Sequence, residues 1–295
     1  MTDRRRFLMA AAGGVLFPRL ALSQSSNITR LTDALSLINA GTNVLAFSTS
    51  DGMILIDTGS PQSGAALKSA LTTPVRTVFN THYHLEITGS NETFGQAGAK
   101  IIAHERTRQW MSTDYWIAAE DRFEKARPNA ARPTETFLTT GSLRAGGEQI
   151  DYGYLPLAHT SGDIYIFFKT SNVLAVGDVA SPQRDPALDY FTGAWIGGRV
   201  DAMDIILKLS NEQTRIVPAY GPVVTRAEFK AERDMMEEVR ARLWKQVREG
   251  EGPKEMLEGG VLNGLSRTWK DPYKFLYDAA KGLWAHHSKL DPNVV

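Results

Sequence analysis

Asn80-Thr81-His82-Tyr83-His84-Leu85-Glu86-Ile87-Thr88-Gly89-Ser90-Asn91 is the stretch on which the reading of this chain turns. Residues 75–80 read as a β-strand that runs straight into the two histidines. In an extended or turning backbone, side chains two apart share a face, so His82 and His84 can converge on one ion. A third imidazole is expected from His159, which follows a strand ending at residue 157 and opens His159-Thr160-Ser161-Gly162-Asp163. Three neutral imidazoles leave a tetrahedral Zn²⁺ with one open position, the catalytic rather than the structural arrangement. Water there ionises near neutral pH and can act as a hydroxide nucleophile.

Composition narrows the alternatives. The 295 residues carry 33 Lys and Arg against 33 Asp and Glu, six His and no Cys. Without Cys there are no disulfides, thiolate metal sites, iron–sulfur clusters or Cys nucleophile, so any metal must be held by His and carboxylate. The balanced charge gives no footprint for nucleic acid or an anionic membrane. A 42% hydrophobic share excludes wholesale disorder. The partner expected is a small-molecule substrate.

The start of the chain reads as an address. Arg4-Arg5-Arg6-Phe7-Leu8-Met9 is followed by an apolar run to Phe17 and then Ala21-Leu22-Ser23. A basic start, a short apolar stretch and a small-x-small cleavage site make a signal peptide, here of the twin-arginine type. The apolar run is too short for a membrane anchor. Residues 1–23 are therefore expected to be removed, leaving 24–295 as a single periplasmic or secreted domain. Removal takes away four Arg and one Asp and leaves a net charge of −3.

Along the mature chain, strands are expected at residues 31–38, 43–48 and 53–57, with a short helix at 65–71. After the strand at 75–80, residues 89–97 read as helical, 100–103 as a strand and 105–127 as a longer amphipathic helix. Strands return at 135–143, 149–157, 163–169 and 172–177. An irregular segment rich in Pro, Gly and aromatics covers 181–198. Residues 200–209 read as a helix, 215–218 as a strand, and a helical extension fills about 225–295. Two β-rich halves, each covered by helices, give one α/β domain.

Here the chain resembles a known family. The stretch from Asn80 to Asn91 is similar to the signature loop of the metallo-β-lactamase superfamily, which usually reads T-H-x-H-x-D-H-x-G-G-N. Further stations follow in order: Asp57-Thr58-Gly59 at a strand end, His159-Thr160-Ser161-Gly162-Asp163, Gly177-Asp178, and Pro218-Ala219-Tyr220-Gly221-Pro222 in place of P-G-H-G-P. The resemblance covers about residues 30–225. It implies a mixed α/β (α+β) fold, a four-layer αββα sandwich with extra C-terminal helices, and a metal site at one edge between the sheets.

The departures matter as much. Family members with two metals take the second ion on the Asp and second His of the loop, with the His of P-G-H-G-P. Those positions here are Glu86, Ile87 and Tyr220. Isoleucine cannot bind a metal and a neutral Tyr is a poor ligand. One zinc ion is expected, on His82, His84 and His159; Asp178, at the station whose Asp bridges two metals in the family, is a further metal-site candidate and is expected to orient water and take its proton. Glu86 is a candidate second base or a brace for His84 or Asp178. Tyr220 is either a hydrogen-bond donor to an oxyanion or leaving group, or a plug in the vacated pocket. Asp57 is expected to brace the site.

His104 reads as structural and His286-His287 as a surface pair. Trp110, Tyr115, Trp116 and Phe123 read as core or a cap over the site. Tyr190, Phe191 and Trp195 are the candidate substrate wall. The function expected is an exported metal-dependent hydrolase that attacks an ester, lactone, thioester or amide with zinc-bound hydroxide. The alternative is a catalytically inactive binding or chaperone-like module on the same fold, favoured by Ile87 and Tyr220. An iron oxidoreductase fits less well, because iron enzymes of this fold use the complete two-metal ligand set.

Overall fold

In a computed structural model the chain is described over residues 28–288, so the export signal expected at residues 1–23 lies outside the described residues. Seven strands build the first sheet: β1 (Ile28–Arg30), β2 (Leu35–Asn39), β3 (Asn43–Thr49), β4 (Gly52–Ile56), β5 (Val75–Phe79), β6 (Lys100–His104) and, beyond a separate hairpin of β7 (Tyr115–Ile117) and β8 (Arg122–Glu124), β9 (Glu135–Phe137). The ladder is antiparallel from β1 to β4 and parallel from β4 to β9. The second sheet runs β10 (Thr140–Ala145), β11 (Glu148–Tyr154), β12 (Ile164–Phe168), β13 (Val173–Gly177) and β14 (Arg215–Pro218), and only its last pair is parallel.

Period-two alternation builds the layers. Ile54 and Ile56 of β4 join Phe47, Phe79, Ile150, Ile166 and Phe168 in the core between the sheets. Met53 and Leu55 face the other way, with Leu67 of α1 (Gly64–Ala70) and, past the short α2 (Leu85–Thr88), Phe94 of α3 (Asn91–Gln96). On β13, Val173 and Ala175 point inward while Leu174 and Val176 point outward. Helix α4 (Glu105–Ser112) follows β6. The outer face of the second sheet is covered by α5 (Ile196–Leu209) and α6 (Arg226–Glu249) and, beyond α7 (Pro253–Glu258), by α8 (Pro272–Ser288), through Met203, Phe229, Met236, Leu243 and Leu276. Each such buried side chain is worth about 1.5–3 kcal/mol. The result is the expected αββα sandwich, with the C-terminal helices as part of its outer layer.

Helix α6 has the bounds the sequence signals. Thr225 and Glu228 form a reciprocal capping box at its start, and Gly250, at φ 80°, closes its end. Two readings need correction. The helix expected over residues 105–127 stops at Ser112, and the β-prone aromatics that follow form the β7–β8 hairpin. Trp116 and Phe123 pair across that hairpin with about half their surfaces exposed, so they are neither core nor a helical cap. The strand expected over 135–143 is two strands in different sheets. Leu138 and Thr139 carry the chain across, a change of sheet that local alternation does not reveal.

Along one edge the sheets are tied together. Asn43 N–H donates to Ala219 O at 2.8 Å, its side-chain amide donates to Pro218 O and Gly221 O, and Ile164 N–H donates to Thr81 O at 2.9 Å. Gly177, at φ 57°, lies so close to Thr81 that a Cβ there would meet its Oγ1 at 2.7 Å. That edge carries the candidate site.

Candidate metal centre

The parallel strands β4 and β5 of one sheet, and β13 and β14 of the other, deliver Asp57, His82, Asp178 and Tyr220 from or just beyond their C-terminal ends. A crevice outside the carboxyl ends of parallel strands is where α/β sheets place ligands. His159 comes from the loop after β11. That loop folds around Asp163, whose buried carboxylate accepts the N–H groups of His159 (2.7 Å) and Thr160 (2.8 Å) and the Thr160 hydroxyl (2.7 Å). Burial pushes the Asp163 carboxyl up to about 7 against these stabilising bonds.

The three imidazoles meet. His82 Nε2, His84 Nδ1 and His159 Nε2 all face inward, with ring centroids 4.6–4.9 Å apart, and the three residues can hold one metal ion. Asp178 Oδ2 lies 3.6 Å from His82 Nε2 and 3.8 Å from His159 Nε2. His82 Nε2 and Asp178 Oδ2 are fully buried yet have no hydrogen-bond partner. Orphaned buried polar atoms are costly, and two of them facing each other among nitrogen donors fit a cation. Burial, then the neighbouring positive groups, keeps His82 and His159 in the neutral, ligating form: His82 falls well below its usual range and His159 to about 3.

Each ring is held from behind. His159 Nδ1 donates to Ala187 O at 2.8 Å, and His84 Nε2 lies 3.1 Å from Asp189 Oδ2. Tyr83 donates its hydroxyl to the same Asp189 oxygen at 2.5 Å. Burial alone would lower His84, but the hydrogen bond to Asp189 and the charges of Glu86, Asp189 and Asp178 outweigh it and leave it raised. His82 sits beside Thr81, whose N–H and hydroxyl both bond the Asp57 carboxylate at 2.8 Å. Asp57 thus ties down the loop at Thr81 from a left-handed backbone (φ 63°), and burial pushes its carboxyl up to about 8.

The opposite corner differs. Ile87 is completely buried and brings no donor atom. Glu86 is 40% exposed, with Oε1 3.7 Å from His84 Nδ1, and it can form a ligand group with His82 and Asp178, but that group reuses His82. Burial raises the Tyr220 hydroxyl to about 12. Over the Tyr220 ring, 3.6 Å from its centroid, lies the guanidinium of Arg184, which donates to Asp178 Oδ1 at 2.7 Å.

Sequence reasoning missed Arg184 and Asp189. A signal for each exists: Arg184 is the single basic residue between Lys169 and Arg199, six positions after Asp178, and Asp189 is an acid set directly before Tyr190 and Phe191. Also missed is a buried clamp from the helical layer. Glu232 of α6 accepts Ser181 N–H at 3.0 Å, Arg199 of α5 donates to Ser181 Oγ at 2.8 Å, and Arg267 donates to Arg184 O and Ser181 O at 2.6 Å each. Helices α5 and α6 and the segment between α7 and α8 thus pin the loop that carries Arg184 and Ala187.

A cavity of about 140 Å³ adjoins the rings of His84 and His159 and is lined by Tyr83, Asp189, Tyr190 and Phe191. Tyr190 and Phe191, the candidate substrate wall, line this cavity, which lies on the side of the rings held by Asp189 and Ala187. Trp195 does not: it is buried in the helical layer and stacks on His286 at 3.6 Å. Trp110 and Tyr115 pack with Tyr83 and Phe191 at the side of this cavity. His104 is structural, stacked on Tyr154 and capping α4. A wider groove of about 700 Å³ along α6 contains none of the metal-site residues.

Comparison with known proteins places these features in context. Residues 39–234 match the family described as the metallo-beta-lactamase superfamily. Over 147 residues the chain is 24% identical to the metallo-beta-lactamase IND-1 of Chryseobacterium indologenes, an alignment spanning 50% of this chain and 56% of that protein. The chain thus covers little more than half the length of that curated relative. Among solved structures, a metallo-beta-lactamase from Pontibacter korlensis is similar with a TM-score of 0.58 at 20% identity, covering 71% of this chain and 98% of that one. The stereoselective inverting sec-alkylsulfatase Pisa1 from Pseudomonas sp. is similar with a TM-score of 0.65 at 14% identity, covering 89% of this chain and 50% of that one. Among the described residues, no helix is long and apolar enough to cross a membrane.

Proposed function

We propose that this chain, which belongs to the metallo-β-lactamase superfamily, is an exported hydrolase that holds one zinc ion at His82, His84 and His159 and cleaves an ester, lactone, thioester or amide bond. The observation that carries the reading is the convergence of three inward imidazole nitrogens, two of which lie 3.6 and 3.8 Å from the unpartnered Asp178 Oδ2. An ion held there would supply an acidified water nucleophile and a Lewis acid for the scissile carbonyl.

The chain's own groups divide the remaining work. Asp178 Oδ2 is placed to take the proton of an attacking water. Asp189 and Ala187 O accept from the outer nitrogens of His84 and His159, so the inner nitrogens keep their lone pairs for a metal. Glu86, at the exposed side of His84, is a second candidate base. Tyr220, raised to about 12, keeps its proton and can donate but not abstract. Tyr190 and Phe191 offer an apolar wall beside the rings. At the second-metal position Ile87 brings no donor, and Asp178 already faces both the imidazoles and Arg184, which leaves too few ligands for a tightly held second zinc.

Metal analysis of the purified protein is expected to give one zinc per chain, lost in His84→Ala. A panel of chromogenic esters, thioesters, lactones and a cephalosporin then reads the bond class. Two tightly held ions would overturn the one-metal reading. The fully buried Ile87 also favours a second reading, a metal-free binding module. No metal, with no turnover across the panel, would select it. Export rests on the sequence of residues 1–23 and is tested by cell fractionation of a tagged chain.

A further inference from the structure

Three departures from a two-metal site, at residues 86, 87 and 220, leave a buried carboxylate with one oxygen toward the imidazoles and the other turned away. Asp178 is 2% exposed. A carboxylate so deeply placed needs a positive partner on each face that is not solvated. On the Oδ2 side the three imidazoles can hold an ion; on the Oδ1 side the positive partner is Arg184, at 2.7 Å. The guanidinium lies 3.6 Å above the centroid of Tyr220, the residue that replaces the histidine of the P-G-H-G-P station. An imidazole there would be a metal ligand, whereas a phenol ring is a flat, electron-rich face suited to a guanidinium.

We propose that the Arg184 guanidinium, seated between Asp178 and the ring of Tyr220, takes the place of the second metal ion as the permanent cation of this site. One observation then accounts for the two residues that depart most. Ile87 no longer needs a donor atom, and Tyr220 supplies a ring in place of a lone pair. The charge is tethered and always present, so it does not depend on metal supply. Its position is fixed from the backbone side as well, because Arg267 donates to Arg184 O at 2.6 Å. The side chain of Arg184 donates to Asp178, also interacts with the Tyr220 hydroxyl, and is 29% exposed. A guanidinium has five N–H donors, so most remain for an anionic oxygen of a substrate. The chemical class this favours is a substrate with a carboxylate, or another anionic group, close to the scissile bond.

The proposal rests on the three-histidine reading for the first ion, and the test separates the two. Zinc per chain is measured by elemental analysis after equilibration with excess zinc and gel filtration. It is done on the wild type, Arg184→Lys, Arg184→Glu, Ile87→His/Tyr220→His, and that pair combined with Arg184→Ala. Circular dichroism melting identifies the folded variants. The wild-type count tests the first ion; the differences between variants test Arg184. Arg184→Glu, which replaces the cation by a third carboxylate beside Asp178 and Glu86, is expected to hold one ion more than Arg184→Lys. The histidine pair is expected to gain an ion only when Arg184 is removed. If the histidine variants fail to fold, the Glu and Lys variants decide alone. Equal counts in folded Arg184→Glu and Arg184→Lys would overturn the proposal, as would a full second ion in the histidine pair with Arg184 intact.

Discussion

The two corners of the crevice share Asp178 and otherwise follow opposite rules. At one, His82, His84 and His159 present nitrogen lone pairs inward, and each ring has its own neighbour behind it: Thr81, Asp189 and Ala187 O. At the other, Ile87 offers nothing, Glu86 stands partly in solvent, and Arg184 is sandwiched between Asp178 and Tyr220. A metal corner is therefore more than its ligands; it includes the acceptors that fix each imidazole's tautomer. At the corner of Ile87 and Tyr220, where neither residue brings an imidazole, Asp178 and the Tyr220 ring hold the guanidinium of Arg184.

The strongest way to break this contrast is to empty the first corner. On the proposed one-zinc reading, His159→Ala is expected to abolish zinc binding and to lower turnover by about three orders of magnitude or more, since a catalytic metal contributes several kcal/mol. Metal analysis and initial rates read it, with circular dichroism as the folding control. Turnover that persists after the metal is gone would mean that the chemistry lies elsewhere. Removing a brace should cost less. Asp189→Asn keeps the shape but weakens the acceptor behind His84, and zinc affinity is expected to fall about 10- to 100-fold, with activity regained at high zinc. A competition titration against a chromogenic chelator measures it. Unchanged affinity would reduce Asp189 to a packing residue.

How much of this the sequence revealed follows from the same contrast. The cluster of imidazoles was legible because its chemistry depends on residue type at short spacing: His82 and His84 stand two apart just past β5, and Asp178 just past β13, while His159 comes from the loop after β11. The αββα layers were legible because Ile54 and Leu55, or Ala175 and Leu174, obey a period of two. The braces were not. Asp189 reaches His84 across 105 residues of chain and Arg184 finds Tyr220 across 36, so only the fold pairs them. The helix expected over 105–127 failed because Tyr115, Trp116 and Phe123 mimic helical spacing while their β-propensity and cross-strand pairing decide the outcome. Trp195 shares a segment with Tyr190 and Phe191, and sequence proximity alone groups it with them. The chain turns into α5 there, and the indole is drawn into the helical core against His286.

The second corner can be sharpened by substrate charge. Arg184→Met removes the tethered cation and keeps bulk over the Tyr220 ring. For a matched pair of esters differing in one carboxylate near the scissile bond, kcat/KM is expected to fall about 10- to 30-fold more for the charged member, the size of one lost charge-assisted hydrogen bond. The same loss for both members would confine Arg184 to holding Asp178.

The smallest effect belongs to Tyr220, and it separates its two readings. If its ring acts as a platform, Tyr220→Phe leaves the platform in place, because a phenyl face attracts a guanidinium with about the same modest energy, roughly 0.5–2 kcal/mol across these sites. The hydroxyl, pushed up to about 12 by burial, stays protonated throughout the neutral range. Its removal then changes no charge, and kcat is expected to stay within about threefold of wild type. A hydroxyl that donates to a developing oxyanion gives a different number, about 10²- to 10³-fold in kcat for one such donor. Rates of Tyr220→Phe and Tyr220→Ala on one ester therefore separate the roles. A large loss in both marks the donor, whereas a loss confined to Ala marks the ring beneath Arg184.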